Sequence, residues 1–250
     1  MVNSNSSNKD IKLIAIDMDG TLLNDRHEIS EENRKAIKEA EQKGIHVVIS
    51  TGRTRMTCDD LVNSLSLSSY LITVNGSEIW DEQGNLIERQ LLDFSFVEHM
   101  YKLKQKHNTL CWAASVDNVW REQFPEDFSS HEWMKFGFDI KDDQVRDVIL
   151  NELKQNEALE ISNSSPTNLE INASGVNKAR AIEKVCERLG ITMDNVMAMG
   201  DSLNDLAMIK DAGIGVAMGN AQPFVKESAD WVTASNIEDG VAVAIRKWAL

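Results

Sequence analysis

The chain has 250 residues, of which 42% are hydrophobic and 26% charged, so it is long enough to bury a core and has the balance of a folded globular protein. Its formal net charge is -14, and a surface of that sign repels nucleic-acid phosphates. No apolar run approaches the roughly 18 residues of a membrane helix. We therefore expect neither nucleic acid nor a membrane as partner. A small phosphorylated ligand stays compatible, provided that positive charge is concentrated at its site.

The cysteines and the first residues bear on the compartment. Cys58, Cys111 and Cys186 are odd in number and widely spaced, which favours free thiols in a reducing compartment over a disulfide framework or a zinc site. Residues 1–10 are polar and lack the apolar centre of a signal peptide, so we expect a loose tail. The expected location is cytoplasmic, and the sequence does not indicate an oligomeric state.

Short apolar segments rich in branched residues predict strands buried on both faces of a parallel sheet. They are IKLIAI (11–16), IHVVIS (45–50), YLITV (70–74), NVMAM (195–199) and GIGVAM (213–218). Helices are predicted between them, one capped by Ser30 and ended by Gly44, another running from Asn177 to Leu189 before Gly190. The alternation of strands and helices predicts a doubly wound α/β sheet.

The middle of the chain has a different pattern. TLCWAAS and VWREQF flank VDN, which predicts two strands around a turn, and DDQVRDVILNELKQ predicts an amphipathic helix. ALEIS and NLEINA predict further strands. We interpret residues 90–172 as an α+β module inserted into a core formed by residues 1–89 and 173–250.

Large side chains in the inserted module have two possible roles. Trp112, Trp120 and Trp133 are expected to pack in the core of the module more often than to face a substrate. Arg121 and Lys135 are candidates for substrate contact on residue type alone.

Polar clusters follow the predicted strands at their carboxyl ends, the edge of an open α/β sheet where ligands bind. They are Asp17, Asp19 and Thr21, then STGR (50–53), NGS (75–77) and GDSLND (200–205). Asp17, Asp19 and Asp201 offer hard oxygen ligands, which suit Mg²⁺ together with waters and a substrate phosphate. The sequence therefore predicts a magnesium site at this edge.

Carboxylates beside Mg²⁺ can carry out phosphoryl transfer. One can attack phosphorus and form an aspartyl-phosphate, and a second, two residues on, can protonate the leaving alcohol and later take a proton from water. The transferred group needs donors around it, which the hydroxyl of Thr51, the N–H of Gly52 and the ammonium of Lys178 can supply. Arg53 is expected to serve as a structural ion-pair partner.

Four segments of this chain together resemble the signatures of a known family. DMDGTLL, STGR, GVNK and GDSLNDLAM are similar to those of the haloacid dehalogenase superfamily, and of its Cof-type phosphatases in particular. The resemblance implies a Rossmann-like core with an inserted class IIB cap that sets substrate specificity.

The resemblance also implies roles for individual residues. Asp17 would be the nucleophile and a metal ligand, Asp19 the acid/base that also binds metal through its carbonyl, and Asp201 the third protein ligand. Asp205 would steady Lys178 or a metal-bound water. The implied phosphate-binding residues are Met18, Asp19, Thr51, Gly52, Lys178 and Asn204.

The expected function is that of a Mg²⁺-dependent phosphomonoester hydrolase acting on a small metabolite, a sugar phosphate. Two alternatives share its aspartyl-phosphate chemistry. A phosphomutase would return the phosphoryl group to a hexose phosphate, and a receiver-like signalling module would keep a long-lived phospho-aspartate without turnover. The size of the inserted module and the acid/base position of Asp19 disfavour the signalling module.

Overall fold

The computed structural model describes residues 10–121 and 123–250, so the predicted polar tail lies, apart from Asp10, outside the described residues. That part of the chain forms thirteen strands and eight α-helices. The strands are β1 Leu13–Ile16, β2 His46–Ser50, β3 Leu71–Thr73, β4 Glu78–Trp80, β5 Leu86–Arg89, β6 Leu110–Ser115, β7 Val119–Trp120, β8 Trp133–Asp139, β9 Leu159–Ser162, β10 Asn168–Ala173, β11 Val196–Gly200, β12 Ile214–Ala217 and β13 Trp231–Val232. The helices are α1 Glu31–Gln42, α2 Arg55–Asn63, α3 Phe94–His107, α4 Asp143–Leu153, α5 Lys178–Leu189, α6 Leu206–Asp211, α7 Pro223–Ser228 and α8 Gly240–Trp248.

The larger sheet has eight strands in the order β13-β12-β11-β1-β2-β3-β4-β5. The first six are parallel, and β4 and β5 add an antiparallel hairpin at one edge. All five predicted strands of the core lie in the parallel part, which confirms the doubly wound α/β fold. Neither the hairpin nor the parallel edge strand β13 was predicted.

Alternate residues of β1 show why this sheet is buried on both faces. Ile14 and Ile16 pack in one hydrophobic cluster with α1 and α8, while Leu13 and Ala15 pack in another with α5 and α6. A strand with helices on both sides has no solvent-facing side, and therefore reads as a continuous apolar run.

Helix ends follow the predicted capping residues. The side chain of Ser30 accepts a hydrogen bond from the backbone N–H of Asn33, and the side chain of Asn177 does the same for Arg180. Each cap satisfies an N–H group that the first turn leaves without a helical partner. Gly190 ends α5 with a φ of 67°, in the left-handed region that favours glycine.

The smaller sheet lies within residues 110–173 and has five antiparallel strands in the order β7-β6-β8-β10-β9. The predicted strand pair around VDN, the helix over residues 142–155 and the strands ALEIS and NLEINA are confirmed. NLEINA keeps its predicted bounds, the others are shorter, and of the described residues of VWREQF only Val119–Trp120 form a strand. The central strand β8 was missed, because its sequence WMKFGFD contains lysine, glycine and aspartate. The long helix α3 was also missed.

Two further expectations from the sequence concern the cysteines and membrane-spanning helices. Cys58, Cys111 and Cys186 are all free, as predicted, and all are buried, which raises the pKa of each thiol. Among the described residues, no helix combines the length and the apolar character that crossing a bilayer requires.

Candidate active site

The predicted site residues lie at one edge of the larger sheet. Asp17 directly follows β1, Thr51 follows β2 and Asp201 follows β11. These three strands are adjacent and parallel, so their carboxyl ends lie side by side. Residues far apart in the chain are thereby brought within hydrogen-bond distance of each other.

Lys178 begins α5 and is fully buried between two carboxylates. Its Nζ donates to Asp17 Oδ1 at 2.5 Å and to Asp205 Oδ1 at 2.7 Å. Burial opposes the charged form of Lys178, but the carboxylates of Asp17 and Asp205 outweigh it and raise the lysine pKa above its ordinary value. Lys178 is therefore a permanent cation in contact with Asp17.

Asp205 also shapes the loop that follows β11. Its Oδ2 accepts the backbone N–H groups of Asp201 at 2.9 Å and Ser202 at 3.0 Å. The carboxylate of Asp201 in turn accepts hydrogen bonds from the hydroxyls of Ser202 at 3.0 Å and Thr21 at 3.3 Å. The loop thus fixes Asp201 against the segment that carries Asp17.

Gly20 is required for this arrangement. Its φ is +79°, and a Cβ at this position would lie 2.6 Å from Oδ2 of Asp201. Both the backbone conformation and the lack of space favour glycine here.

Asp17, Asp201 and Asp205 form a cluster that fits a divalent cation. Each offers an oxygen within 4.8 Å of those of the other two. Burial, then the nearby charge of Asp205, raises the pKa of Asp17 well above its ordinary value, and the same causes raise that of Asp201 to about 7. Carboxylates so close together need a positive partner to stay ionised together, and hard oxygen donors are the ligands of magnesium-type metals.

Asp19 is held apart from this cluster by Arg53. Its two carboxylate oxygens accept hydrogen bonds from the guanidinium, at 2.8 Å from Nε and 2.5 Å from the terminal nitrogen. Arg53 is thus the ion-pair partner that the sequence predicted. The implied metal contact of Asp19 involves its backbone carbonyl, which this ion pair does not occupy.

The segment after β2 is fixed by backbone contacts. Thr51 is fully buried; its N–H donates to the carbonyl of Ile72, and its own carbonyl accepts the N–H of Asn75. The hydroxyl of Thr51 accepts the N–H of Arg53 at 3.1 Å. These bonds hold Thr51 and Gly52 beside the acids.

Met18 and Asn204 complete the set of predicted residues. The side chain of Met18 is buried, so only its backbone can reach a ligand. Asn204 donates from Nδ2 to Oδ1 of Asn75 at 3.3 Å, while its own Oδ1 is buried without a hydrogen-bond partner among the described residues. A buried acceptor of this kind is suited to a ligand or water donor.

A family model and several known proteins match this chain. The model of the haloacid dehalogenase-like hydrolases matches residues 14–147 and 121–245, well over half of the chain. The chain belongs to the haloacid dehalogenase-like hydrolases. It is a phosphatase of this family, of the Cof type that the sequence motifs predicted.

Relatives of this hydrolase are similar over nearly their whole length. It is 66% identical over 241 residues to the 5-amino-6-(5-phospho-D-ribitylamino)uracil phosphatase YcsE of Bacillus subtilis, covering 96% of this chain and 97% of that protein. A haloacid dehalogenase-like hydrolase structure from B. subtilis superposes with a TM-score of 0.87 at 26% identity, covering 94% of this chain and 99% of the other. The structure of a subclass IIB sugar phosphatase superposes with a TM-score of 0.81 at 26% identity, covering 94% and 98%.

In this haloacid dehalogenase-like hydrolase a cavity of about 440 Å³ lies above the acids. Asp17, Asp19 and Asp201 line it from the larger sheet. The smaller sheet contributes residues from β6 and β8, and Arg121 follows β7. The cavity is therefore lined by both parts of the molecule.

One cavity residue on the smaller sheet, Trp112, was placed differently by sequence reasoning. Trp133 is buried in the core of that sheet as expected, but the expectation is wrong for Trp112, which is half-buried and lines the cavity. Trp112 lies opposite Gly137 on β8, where a Cβ would be 2.3 Å from the indole ring, so the ring packs flat on the strand. Lys135 and Arg121, candidates by type alone, both line the cavity.

Sequence reasoning missed Glu170 and Ser164. Glu170 is 4% exposed, lies on β10 and lines the cavity, where Ser164 donates to its Oε1 at 2.7 Å. The one available signal was a charged residue in the middle of the apolar strand NLEINA, because a charge in a buried strand needs a partner.

Proposed function

We propose that this hydrolase is a Mg²⁺-dependent phosphomonoester phosphatase that acts through an aspartyl-phosphate on Asp17. The observation that carries the proposal is the contact of Asp17 with buried Lys178 at the floor of the cavity, within 4.8 Å of the oxygens of Asp201 and Asp205. An ionised, oriented carboxylate beside fixed positive charge is a nucleophile prepared for phosphorus.

The proposed substrate is 5-amino-6-(5-phospho-D-ribitylamino)uracil, a phosphate ester on a sugar-derived chain. Support comes from the 66% identity to the Bacillus subtilis phosphatase that carries this name. The cavity agrees in its chemistry, since its lining includes Trp112 and Arg121 as well as the acids Asp17, Asp19 and Asp201. A uracil ring can stack on an aromatic face and hydrogen-bond to a guanidinium.

The proposed division of the chain is a core of residues 1–89 and 173–250 with a class IIB cap of residues 90–172. The smaller sheet supports it, because its strands fall within residues 110–173 and have their own hydrophobic cluster. Ala173, the last residue of β10, is one position beyond the proposed boundary. The cap would cover the site, exclude water and select the leaving group.

In the first step an oxygen of Asp17 bonds to phosphorus and the ester P–O bond breaks. The leaving alcohol oxygen takes the proton of the Asp19 carboxyl group. Asp19 is thereby left as the carboxylate, and both of its oxygens accept hydrogen bonds from Arg53 in the structure. Arg53 thus orients Asp19 for the proton transfer.

In the second step a water oxygen bonds to phosphorus while its proton passes to Asp19. The bond between phosphorus and Asp17 breaks, which releases inorganic phosphate and restores the carboxylate of Asp17. Hydrolysis therefore uses Asp19 first as acid and then as base.

The remaining predicted residues would bind the phosphoryl oxygens. Donors to them would be the hydroxyl of Thr51, the ammonium of Lys178, the amide of Asn204 and the backbone N–H groups of Met18, Asp19 and Gly52. Mg²⁺, when bound, would neutralise phosphoryl charge and orient the group for in-line attack. Asp17, Asp201 and the carbonyl of Asp19 would hold the ion, and Asp205 would stand beside it and keep Lys178 in place.

We also propose a cytoplasmic location and small phosphorylated metabolites as the partners, with no nucleic acid and no membrane. The three buried, unpaired thiols support a reducing compartment. The net charge of -14 supports the exclusion of nucleic acid.

The decisive experiment measures inorganic phosphate released from the ribitylaminouracil phosphate and from 4-nitrophenyl phosphate. Wild-type protein should release phosphate with Mg²⁺ and lose activity with a chelator. Asp17→Asn should lower kcat by about 1,000-fold or more, since a carboxamide cannot form the aspartyl-phosphate. Asp25→Asn, an exposed control eight residues on, should leave kcat unchanged.

Three results would contradict the proposal. Activity unaffected by the chelator would show that the reaction does not depend on a metal. Near-normal turnover of Asp17→Asn would show that Asp17 is not the nucleophile. Positional isomers of a hexose phosphate formed without free phosphate would show a mutase instead.

A further inference from the structure

Lys135 is a buried cation that the smaller sheet directs into the active-site cavity. It lies on β8, is 1% exposed, and lines the cavity together with the catalytic acids. Its Nζ donates to the backbone carbonyl of Gly52 at 2.7 Å and to Glu170 Oε2 at 3.1 Å. It also lies 4.7 Å from the centre of the Trp112 ring, which stacks on β8 two residues away. These contacts join the smaller sheet directly to the phosphate-binding segment of the larger one.

Glu170 makes the matching connection from β10. Its Oε2 accepts a hydrogen bond from Asn75 Nδ2 at 2.6 Å in addition to the one from Lys135. Asn75 follows β3 with a φ of 60°, and its Oδ1 accepts from Asn204 at 3.3 Å. We call Lys135, Glu170, Gly52 and Asn75 the bridge. Through it the smaller sheet touches the loops after β2 and β3 and, by way of Asn204, the loop after β11.

Burying the ion pair of the bridge is energetically unfavourable, so its role is not only to fill space. Burial lowers the pKa of Lys135, and Glu170 reverses this only in part. Removing two charges from water is unfavourable, and the cost is recovered only when geometry and hydrogen bonding are favourable. An apolar pair would fill the same space without that cost, but it could not make the hydrogen bonds to Gly52 and Asn75 that join the two sheets.

Gly52 has no room for a side chain, because two other residues of the bridge pack against it. A Cβ on Gly52 would lie 2.9 Å from Asn75 Oδ1 and 3.2 Å from Lys135 Nζ. The absence of a side chain therefore lets Lys135 reach the Gly52 carbonyl. The ammonium group of Lys135 has three N–H donors, and two of them bond to Gly52 and Glu170 in the described structure. Lys135 lines the cavity, so the third donor is available to a ligand bound there.

We propose that Lys135 is a positioning residue for phosphoryl transfer: it holds the Thr51–Gly52 segment in its phosphate-binding conformation from the cap side. The inference rests on the proposed phosphatase function. Cap closure forms the bond between Lys135 and Gly52, so the phosphate site is complete only when the cap covers it. Substrate enclosure and phosphate binding are thereby coupled through one hydrogen bond.

The test compares Lys135→Met with Lys141→Met, an exposed lysine six residues along the chain. Lys135→Met should lower kcat/KM for 4-nitrophenyl phosphate on the order of 100-fold, because loss of positioning near the reacting atoms has effects of that size. It should also weaken inhibition by inorganic phosphate and speed backbone amide exchange at residues 51–53. Lys141→Met should change none of these.

The double variant Lys135→Met with Glu170→Gln separates positioning from folding. It removes the buried carboxylate that the single variant leaves without its cation, so it should unfold at a higher temperature than Lys135→Met. Its kcat/KM should stay low, since the bond to Gly52 is still missing. Wild-type kcat/KM in the double variant, or unchanged exchange at residues 51–53 in the single one, would overturn the proposal.

Amide exchange can be measured without any enzymatic turnover. It therefore tests the positioning role of Lys135 independently of the proposed phosphatase function. A wild-type protein that hydrolysed no phosphomonoester would overturn the proposed function. Faster exchange at residues 51–53 in Lys135→Met would still support the structural part of the bridge in that case.

Discussion

Both carboxylate oxygens of Asp19 are held by Arg53, which is 34 residues away and follows the neighbouring strand of the sheet. Such a two-point contact fixes the plane of the carboxylate as well as its position. The proposed acid/base is therefore oriented before a substrate arrives. The guanidinium is also bonded to the carbonyl of Thr57, which anchors it to α2.

Replacing Arg53 by alanine should lower kcat/KM about 10-fold or more for an alkyl phosphate, because acid catalysis requires an oriented Asp19. The effect should be smaller for 4-nitrophenyl phosphate, whose leaving group needs no proton. The ratio of kcat/KM for the two substrates measures this, because kcat/KM does not include the later water step that both substrates share. Arg55→Ala is the matched control, since Arg55 pairs with Asp59 and packs over Trp80 outside the cavity. An equal loss with both substrates would contradict the assigned role of Arg53.

Replacing Lys178 by methionine should lower both activity and stability. The change leaves the carboxylates of Asp17 and Asp205 buried without their cation, which should cost about 3–5 kcal/mol of unfolding free energy. Denaturant unfolding at neutral pH measures it. Lys184→Met on the same helix is the control: its ion pair with Glu88 is exposed, so its loss should cost less than about 1 kcal/mol. Similar losses for the two variants would show that Lys178 is not held as described.

The metal-free protein should become less stable as pH rises through the range in which Asp201 ionises. Burial, then Asp205, raises the pKa of Asp201 to about 7 in the folded state, from an ordinary value of 3.8. The folded state therefore binds more protons than the unfolded chain between these values. The contribution of Asp201 to unfolding free energy falls across that window by at most about 1.4 kcal/mol per pH unit.

Chemical unfolding with a chelator present, at about pH 5 and about pH 8, checks this dependence. Asp201→Asn should reduce the difference between the two conditions. Added Mg²⁺ should stabilise the wild-type protein more at the higher pH, because the ion and protons compete for the same oxygens. Identical pH dependence in wild type and variant would show that Asp201 does not carry this effect.

Two glycines with the same backbone conformation should respond differently to alanine. Gly20 and Gly44 have φ values of +79° and +81°, but a Cβ on Gly20 would meet Asp201 at 2.6 Å whereas one on Gly44 has nothing within 4 Å. Both variants should lose about 1 kcal/mol or more of stability through backbone strain. Gly20→Ala alone should also raise the Mg²⁺ concentration needed for half-maximal activity. An equal Mg²⁺ requirement in the two variants would mean that glycine is needed at position 20 only for its positive φ.

The sequence alone was sufficient for five of the six parallel strands and for the residues at their carboxyl ends. Strands buried on both faces are continuous apolar segments, and helices are bounded by caps such as Ser30 and Asn177, so both leave local patterns. Parallel topology then places the carboxyl ends of those strands together, which is why Asp17 and Asp201 could be predicted to meet.

Only the tertiary structure decided which side chains of the smaller sheet face the site. Lys135 and Gly52 are 83 residues apart, and Trp112 reaches the cavity because strand register places it opposite Gly137. Strand register and the approach of one sheet to another depend on the whole fold. The sequence around a lysine or glutamate in a strand does not indicate which residue it will contact. For the same reason the sequence predicted that Arg53 forms an ion pair, but neither Asp19 as its partner nor the two-point geometry of the contact.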